Sequence, residues 1–294
     1  MAGAVASVVV VTHNEGAMLK ATVDSFLQDT GEPLDLVVVD DASTDGSTAF
    51  LNDADYSAIR LCRLEESVGI SAARNTGGRM AATDHVVFSD AHVRVHPGWL
   101  EPILESLADP AVGEVGPCVG SLGGNAVPGY GFTWKEPSLK MAWLPNPEGT
   151  ADVPFLCGCF VAMRKAVFDE TGGFDEGMYR WGFEDSEISL RLWLRGYRVQ
   201  VAPHARIDHR FRPHFPYQVD WSGVIYNGLR LGVVHLHPQG LEVLIRHYAD
   251  RPAFSRAWAR LIDSDTFDRR ASETGHRREG AESFLDRMGI DALR

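Results

Sequence analysis

Three short apolar runs dominate the first third of the chain: "SVVVVT" at 7–12, "LDLVVVDD" at 34–41 and "DHVVFSD" at 84–90. Each has strand length, is rich in β-branched residues, and ends in polar side chains. Continuous rather than alternating apolar residues mean burial on both faces, which is the signature of a parallel sheet covered by helices. The stretches between supply the helices. "EGAMLKATVDSFLQ" places Met18, Leu19, Val23, Phe26 and Leu27 on one face, and "GISAARNTGGRMA" forms another. "DASTDGSTAFLND" predicts a further helix, with Ser43, Thr44 or Asp45 as N-cap, and "YSAIRLCRL" predicts a strand. Alternating strands and helices with short connections give an α/β fold: a mostly parallel sheet with helices on both faces.

Beyond it the pattern loosens and then returns. Residues 119–154 are rich in Gly and Pro but carry aromatic residues, as expected of an ordered loop region. "FLCGCFVAMRKAVF" reads as strand then helix, "FEDSEISLRLWLRG" as an amphipathic helix closed by Gly196, and "YRVQVAP" as a strand. After Pro213 the chain reads as a charged helical extension. The boundaries are therefore 1–212 for a catalytic α/β domain and 213–294 for a lid and helical subdomain.

Composition narrows the function. A net charge of -12 excludes a duplex nucleic-acid binder, and a phosphorylated ligand would need a local cation. No segment has the length and hydropathy of a membrane span or a signal peptide, so a cytoplasmic protein is expected. Cys62, Cys118, Cys157 and Cys159 lack zinc spacing and read as reduced, buried thiols.

In a covered parallel sheet, ligands bind beyond the carboxyl ends of the strands. His13, Asn14, Asp40, Asp41, Asp90 and His92 all fall there. Of the adjacent Asp40 and Asp41, one can cap a helix; a nucleobase or ribose donor would explain the other. Arg74 and Asn75 lie on the helix before the last of the three strands, where a guanidinium can offset a phosphate. Asp90-x-His92 shares one strand face, offering carboxylate oxygen and imidazole nitrogen to a divalent cation such as manganese. In "RWGFEDSEISLRLWLRG", Glu184, Asp185 and Glu187 open a helix, where negative charge is favoured, and Trp181 precedes them as a ring that can lie on a ligand. A carboxylate fixed there can act as general base. "PHARIDHRFRPHFPY" is either a basic surface patch or a third metal ligand followed by phosphate-facing arginines.

Taken in order, "VVVVTHNEG", "LVVVDDASTDGS", "VGISAARNTG" and "SDAH" resemble glycosyltransferase family 2, enzymes with the Rossmann-like GT-A fold. "GGFDEGMYRWGFEDSEISLRLWLRGYRVQVAPHARIDHRFR" resembles the polypeptide N-acetylgalactosaminyltransferases. The resemblance implies a metal triad of Asp90, His92 and His209, holding manganese or magnesium against the diphosphate of a UDP-sugar. It implies a diphosphate contact at Arg212, with Tyr217 in the same closing loop. It places Thr12, His13, Glu15 and one of Asp40 or Asp41 at the uridine, Arg74 near ribose and phosphates, and Gly158 on the floor of the donor-sugar pocket. Cys159 replaces a glycine of that pattern. The N-acetylgalactosaminyltransferases retain anomeric configuration and have Glu-Asn where this chain has Glu184-Asp185. Inverting family 2 enzymes use an Asp there to deprotonate the acceptor. The expected activity is therefore metal-dependent transfer from a UDP-sugar to a hydroxyl of a peptide, glycan or small molecule, inverting, with Asp185 as base and Glu184 holding sugar hydroxyls. The alternatives are a retaining enzyme, an inactive sugar-nucleotide binding module, a nucleotidyltransferase and a metal hydrolase. The absence of a basic glycine-rich loop near residue 12 speaks against the nucleotidyltransferase.

Overall fold

The computed structural model describes residues 3–124, 126–212 and 219–294. The first valine run forms β1 (Ala6–Thr12), followed by α1 (Ala17–Asp29), β2 (Leu34–Asp40) and β3 (Arg60–Arg63). Next come α2 (Ile70–Met80), β4 (His85–Asp90), β5 (Val93–Val95), α3 (Leu100–Leu107) and β6 (Val112–Ser121). The Gly/Pro-rich middle holds a small hairpin of β7 (Phe132–Trp134) and β8 (Met141–Trp143), then β9 (Ala151–Asp152). β10 (Phe160–Arg164), α4 (Lys165–Thr171), α5 (Glu184–Leu194) and β11 (Arg198–His209) complete the sheet region. The C-terminal part is helical: α6 (Trp221–His235), α7 (Pro238–Ala249), α8 (Phe254–Ile262), α9 (Thr266–Thr274) and α10 (Ala281–Arg287). No described helix is long and apolar enough to cross a membrane.

The main sheet runs β3-β2-β1-β4-β10-β6-β11-β5, with β9 also paired to β11. Six of its nine strands share one direction; β5, β9 and β10 oppose it. The pleat sends alternate valines to opposite cores. Val8, Val10, Val38 and Val87 join Leu19 and Phe26 of α1 and Ile103 of α3. Val9, Val11, Val37, Val39 and Phe88 join Ala73 of α2, Phe168 of α4 and Ile188 of α5. Leu229, Leu244, Leu261 and Phe284 of the C-terminal helices belong to this second core as well. Each such side chain contributes about 1.5–3 kcal/mol on burial.

One expected helix is absent. Residues 49–52 and 54–56 form short 3-10 turns instead. The intended caps are used elsewhere: Ser43 Oγ accepts from Asn14 N, Thr44 Oγ1 donates to Asn14 Oδ1, and Asp45 Oδ2 accepts from Gly16 N. These bonds tie the loop after β2 to the loop after β1, and Gly46 (φ 74°) turns the chain in a conformation an α-helix cannot use.

Helix α5 is anchored by a buried ion cluster. Both Glu187 oxygens accept from Arg191, at 2.8 and 3.0 Å, and His235 Nε2 of α6 lies 2.8 Å from Glu187 Oε1. Burial works against the Glu187 charge, but Arg191 and His235 outweigh it and hold the carboxyl well below its usual range. Removing one partner of such a cluster leaves an uncompensated buried charge, so Glu187→Gln should cost about 3–5 kcal/mol in urea denaturation at pH 7. Because the folded pKa is depressed, the contribution is complete above the unfolded value of about 4.3 and fades as pH falls below it. Wild type and variant should therefore converge in stability through that acidic range.

Candidate active site

Asp90 ends β4, His92 lies just before β5, and His209 ends β11. The antiparallel pairing of β5 with β11 sets His209 opposite Val93, which brings the second imidazole to the first. Asp90 Oδ2 lies 3.4 Å from His209 Nε2 and 3.8 Å from His92 Nε2. One ligand atom from each residue lies within 4.8 Å of the others. Both His209 nitrogens and His92 Nδ1 are buried without a hydrogen-bond partner. Buried imidazole nitrogens that have donors or acceptors to spare are costly unless something else uses them. One carboxylate and two imidazoles suit manganese better than an all-oxygen ion, so the donor set fits a divalent cation. Burial would raise the Asp90 carboxyl; His209, His92 and Arg74 together hold it well below the usual carboxylate range.

Arg74, only 2 % exposed, joins this cluster to a second one. Its Nη2 donates to Asp90 Oδ1 (3.2 Å) and to the Gly158 carbonyl (2.6 Å), and its Nη1 to Glu184 Oε1 (3.3 Å). Gly158 N–H donates to Asp185 Oδ2 at 3.2 Å. A Cβ at residue 158 would sit 3.0 Å from Asp185 Cβ and 3.2 Å from Arg74 Nη1, so any side chain there would push on both groups. The acids begin α5, after a left-handed turn at Phe183 (φ 67°). Asp185 Oδ1 accepts from Ser186 N, and Glu184 Oε2 from Gly182 N. Burial, and then the charge of Asp185, push Glu184 up to about 7. Burial also raises Asp185, against the pull of the Gly158 and Ser186 amides.

These groups face one cleft of about 720 Å³, a size that suits a ligand of several hundred daltons. His13, Glu15, Asp41, Arg74, Gly158, Trp181, Glu184, Asp185 and Arg212 line it together with Asp90, His92 and His209. Of the paired aspartates, Asp41 faces the cleft while holding Ser67 Oγ and the amides of Val68 and Gly69; His13 Nδ1 lies 2.6 Å from its carbonyl. Glu15 pairs with both guanidinium nitrogens of Arg212 and lies 3.3 Å from His92 Nδ1.

Three residues expected to bind substrate do not line the cleft. Asp40 is fully buried behind it, bonded to Ser43 N and 3.5 Å from Arg63. Thr12 is buried at the end of β1. Asn75 points the other way, exchanging bonds with both the amide and the carbonyl of Phe174. Tyr217 lies outside the described residues, as does most of the expected lid. Arg210, one of the expected phosphate-facing arginines, lines the cleft; so do Ser67, Met141, Trp143, Tyr179, Arg180 and Phe211, which the sequence did not point to. Tyr179 and Arg180 stand directly before Trp181 and share its signal. Met141 and Trp143, two apart on β8, gave only the period of a strand face.

Comparison with known proteins agrees with this geometry. The profile "Glycosyl transferase family 2" matches residues 7–172, and "N-terminal domain of galactosyltransferase" matches 143–214. The chain is 31% identical over 252 residues to the probable N-acetylgalactosaminyltransferase 8 of Caenorhabditis elegans, covering 76% of this chain and 60% of that protein. It is 31% identical over 272 residues to human polypeptide N-acetylgalactosaminyltransferase 3, covering 82% of this chain and 39% of that one. It thus spans less than two thirds of the length of these relatives. Among solved structures, GalNAc-T7 with UDP, GalNAc and Mn2+ superposes with a TM-score of 0.77 at 23% identity, over 99% of this chain and 57% of that one. S. aureus TarS 1-349 with UDP-GlcNAc superposes with a TM-score of 0.62 at 19% identity, over 88% and 79%. The fold is GT-A, and the chain belongs to glycosyl transferase family 2.

Proposed function

We propose that this chain transfers a sugar from a UDP-sugar to an acceptor hydroxyl with inversion, Asp185 serving as the base. The observation that carries the reading is the presence, in one cleft, of the Asp90–His92–His209 cluster and the Glu184–Asp185 pair, joined by Arg74. Relatives named as N-acetylgalactosaminyltransferases, and fold neighbours solved with UDP or UDP-GlcNAc, support the donor class. Asp90, His92 and His209 would hold a manganese or magnesium ion, whose positive charge would offset the charge gained by the leaving diphosphate.

The chain's own groups do the rest. Asp41 and His13 offer polar atoms to the uridine end of the cleft. Arg212, paired with Glu15 here, has a guanidinium suited to phosphate oxygens. Asp185 keeps lone pairs beyond those used by Gly158 and Ser186, and takes the acceptor's proton. Burial makes it more basic than an exposed Asp and so a better acceptor at neutral pH. Glu184 holds donor or acceptor hydroxyls, and the Trp181 ring covers a sugar face. Residues 219–294 form the acceptor side, where Val219, Asp220 and Val224 line the cleft. The second reading is retention, favoured by the 31% identity to N-acetylgalactosaminyltransferases.

Chelation should abolish UDP release from a UDP-sugar in the presence of acceptor, and manganese should restore it better than calcium. Full activity after exhaustive chelation removes the triad from the reaction. Asp185→Asn should lower turnover ~10²–10⁴-fold with UDP affinity near wild type. If Asp185 did no more than accept from the Gly158 and Ser186 amides, the Asn variant would stay almost fully active. The same variant removes the like charge beside Glu184, so the Glu184 titration near 7 should move to lower pH in carboxyl-detected NMR. NMR of the product from an α-linked donor settles the stereochemistry: a β-linkage is expected, and an α-linkage establishes retention.

A further inference from the structure

Beside the main cleft, and sharing Ser67, Tyr179 and Arg180 with it, lies a second cavity of about 270 Å³. Val68, Gly177, Met178, Tyr226, Glu176 and Arg260 complete its wall. Two guanidinium groups converge there on one ring. Arg260 of α8 stacks on Tyr179 at 3.8 Å and lies 5.7 Å from the Tyr226 ring; Arg180 lies 5.7 Å from the Tyr179 ring. The stacking holds the Arg260 plane; its Nη2 makes one long ion pair with Asp220 at 3.8 Å, while Nη1 is buried with no hydrogen-bond partner. Arg180 donates only to neutral oxygens, Tyr179 Oη and Ser67 Oγ, and has no ion pair among the described residues. The one acid in the wall, Glu176, is paired with Arg79 at 3.0 Å and accepts from Asn75.

The Arg180 backbone is fixed in a strained conformation. Its φ is 51°, its carbonyl accepts from Ile70 N, and its Cα packs 2.7 Å from where a Cβ on Gly69 would stand. A non-glycine residue held there costs free energy that only surrounding structure sustains, and such positions cluster at ligand sites. In a chain of net charge -12, an Arg180 with no ion pair among the described residues, beside the buried and partnerless Nη1 of Arg260, offers donors suited to an anion.

We propose that this side cavity binds an anionic group, carboxylate or phosphate, carried by the acceptor, and so directs the acceptor hydroxyl into the main cleft. The acceptor role rests on the transferase reading above; anion binding does not. With UDP and manganese saturating the donor side, calorimetry with phenyl phosphate, benzoate and phenol tests the cavity directly. One or both anions should bind and phenol should not, and which anion binds tighter separates phosphate from carboxylate. Arg180→Gln, an exposed change that cannot disturb the core, and Arg260→Met, which keeps the stacking volume, should each weaken the anion about tenfold, the effect of a lost charge-assisted hydrogen bond. Equal binding in wild type and both folded variants, or no anion binding at all, overturns the proposal. In transfer assays, an alkyl glucuronide or glucoside 6-phosphate should show a lower KM than the neutral alkyl glucoside, and either variant should bring the ratio of the two KM values towards one. Anion binding without any sugar transfer would sink the transferase reading and leave the receptor standing.

Discussion

The site depends on one buried guanidinium. Asp90, Glu184 and Asp185 converge from β4 and α5 on a space where water is scarce, and like charges in such a place force one another to protonate. Arg74 touches the first two and lies beside the third, with the Phe174 ring 5.1 Å from its Cζ. It reaches them because α2 lies directly on β1: a Cβ on Gly77 would stand 2.1 Å from Val9 Cγ1. A close helix–strand contact in the core thus decides the electrostatics at the sheet's end. Buried ion pairs of this kind add little net stability, and their value lies in fixing one arrangement among several.

The same guanidinium leaves its partners in different protonation states. Asp90 has imidazoles as its other neighbours and is held ionised; Glu184 has Asp185 and is pushed towards neutrality. One half of the cleft is therefore suited to a cation and the other to handling a proton, although the two halves share Arg74 and the peptide of Gly158. Glu114, fully buried on β6 and pushed up to about 8 by burial, sits near enough to feel both Asp185 and Arg74 and adds little negative charge at neutral pH.

Much of this could be read from residue order. Unbroken valine runs have few structural outlets, so the covered sheet and its polar end followed directly, and Asp90, His92, Glu184 and Asp185 stood where that end had to be. What local pattern could not resolve was direction. Asp40 and Asp41 are adjacent, and only the strand's alternation, seen in three dimensions, turns one inwards and the other to the cleft. Asn75 follows Arg74 on a helix, and one residue of rotation, about 100°, sends it to Phe174 instead. Ser43, Thr44 and Asp45 carried cap chemistry, but partners at Asn14 and Gly16 claimed it from a distance. Trp143 and Arg260 reach the binding surface through long-range packing that no local spacing encodes.

The pairing of β5 with β11 has a consequence for how the chain comes to completion. His96 and Asp208, which meet across that ladder at 2.8 Å, are 112 residues apart, and the ladder is what carries His209 to Asp90. Contacts this distant in sequence carry a large loop-closure cost and form slowly. A shift of one residue in the pairing would turn the His209 ring to the opposite face of the sheet. The Asp90–His92–His209 triad is thus withheld from partly folded chains and assembled only when the last strand is in register, so that any cation it accepted would act as an inspector of the finished sheet.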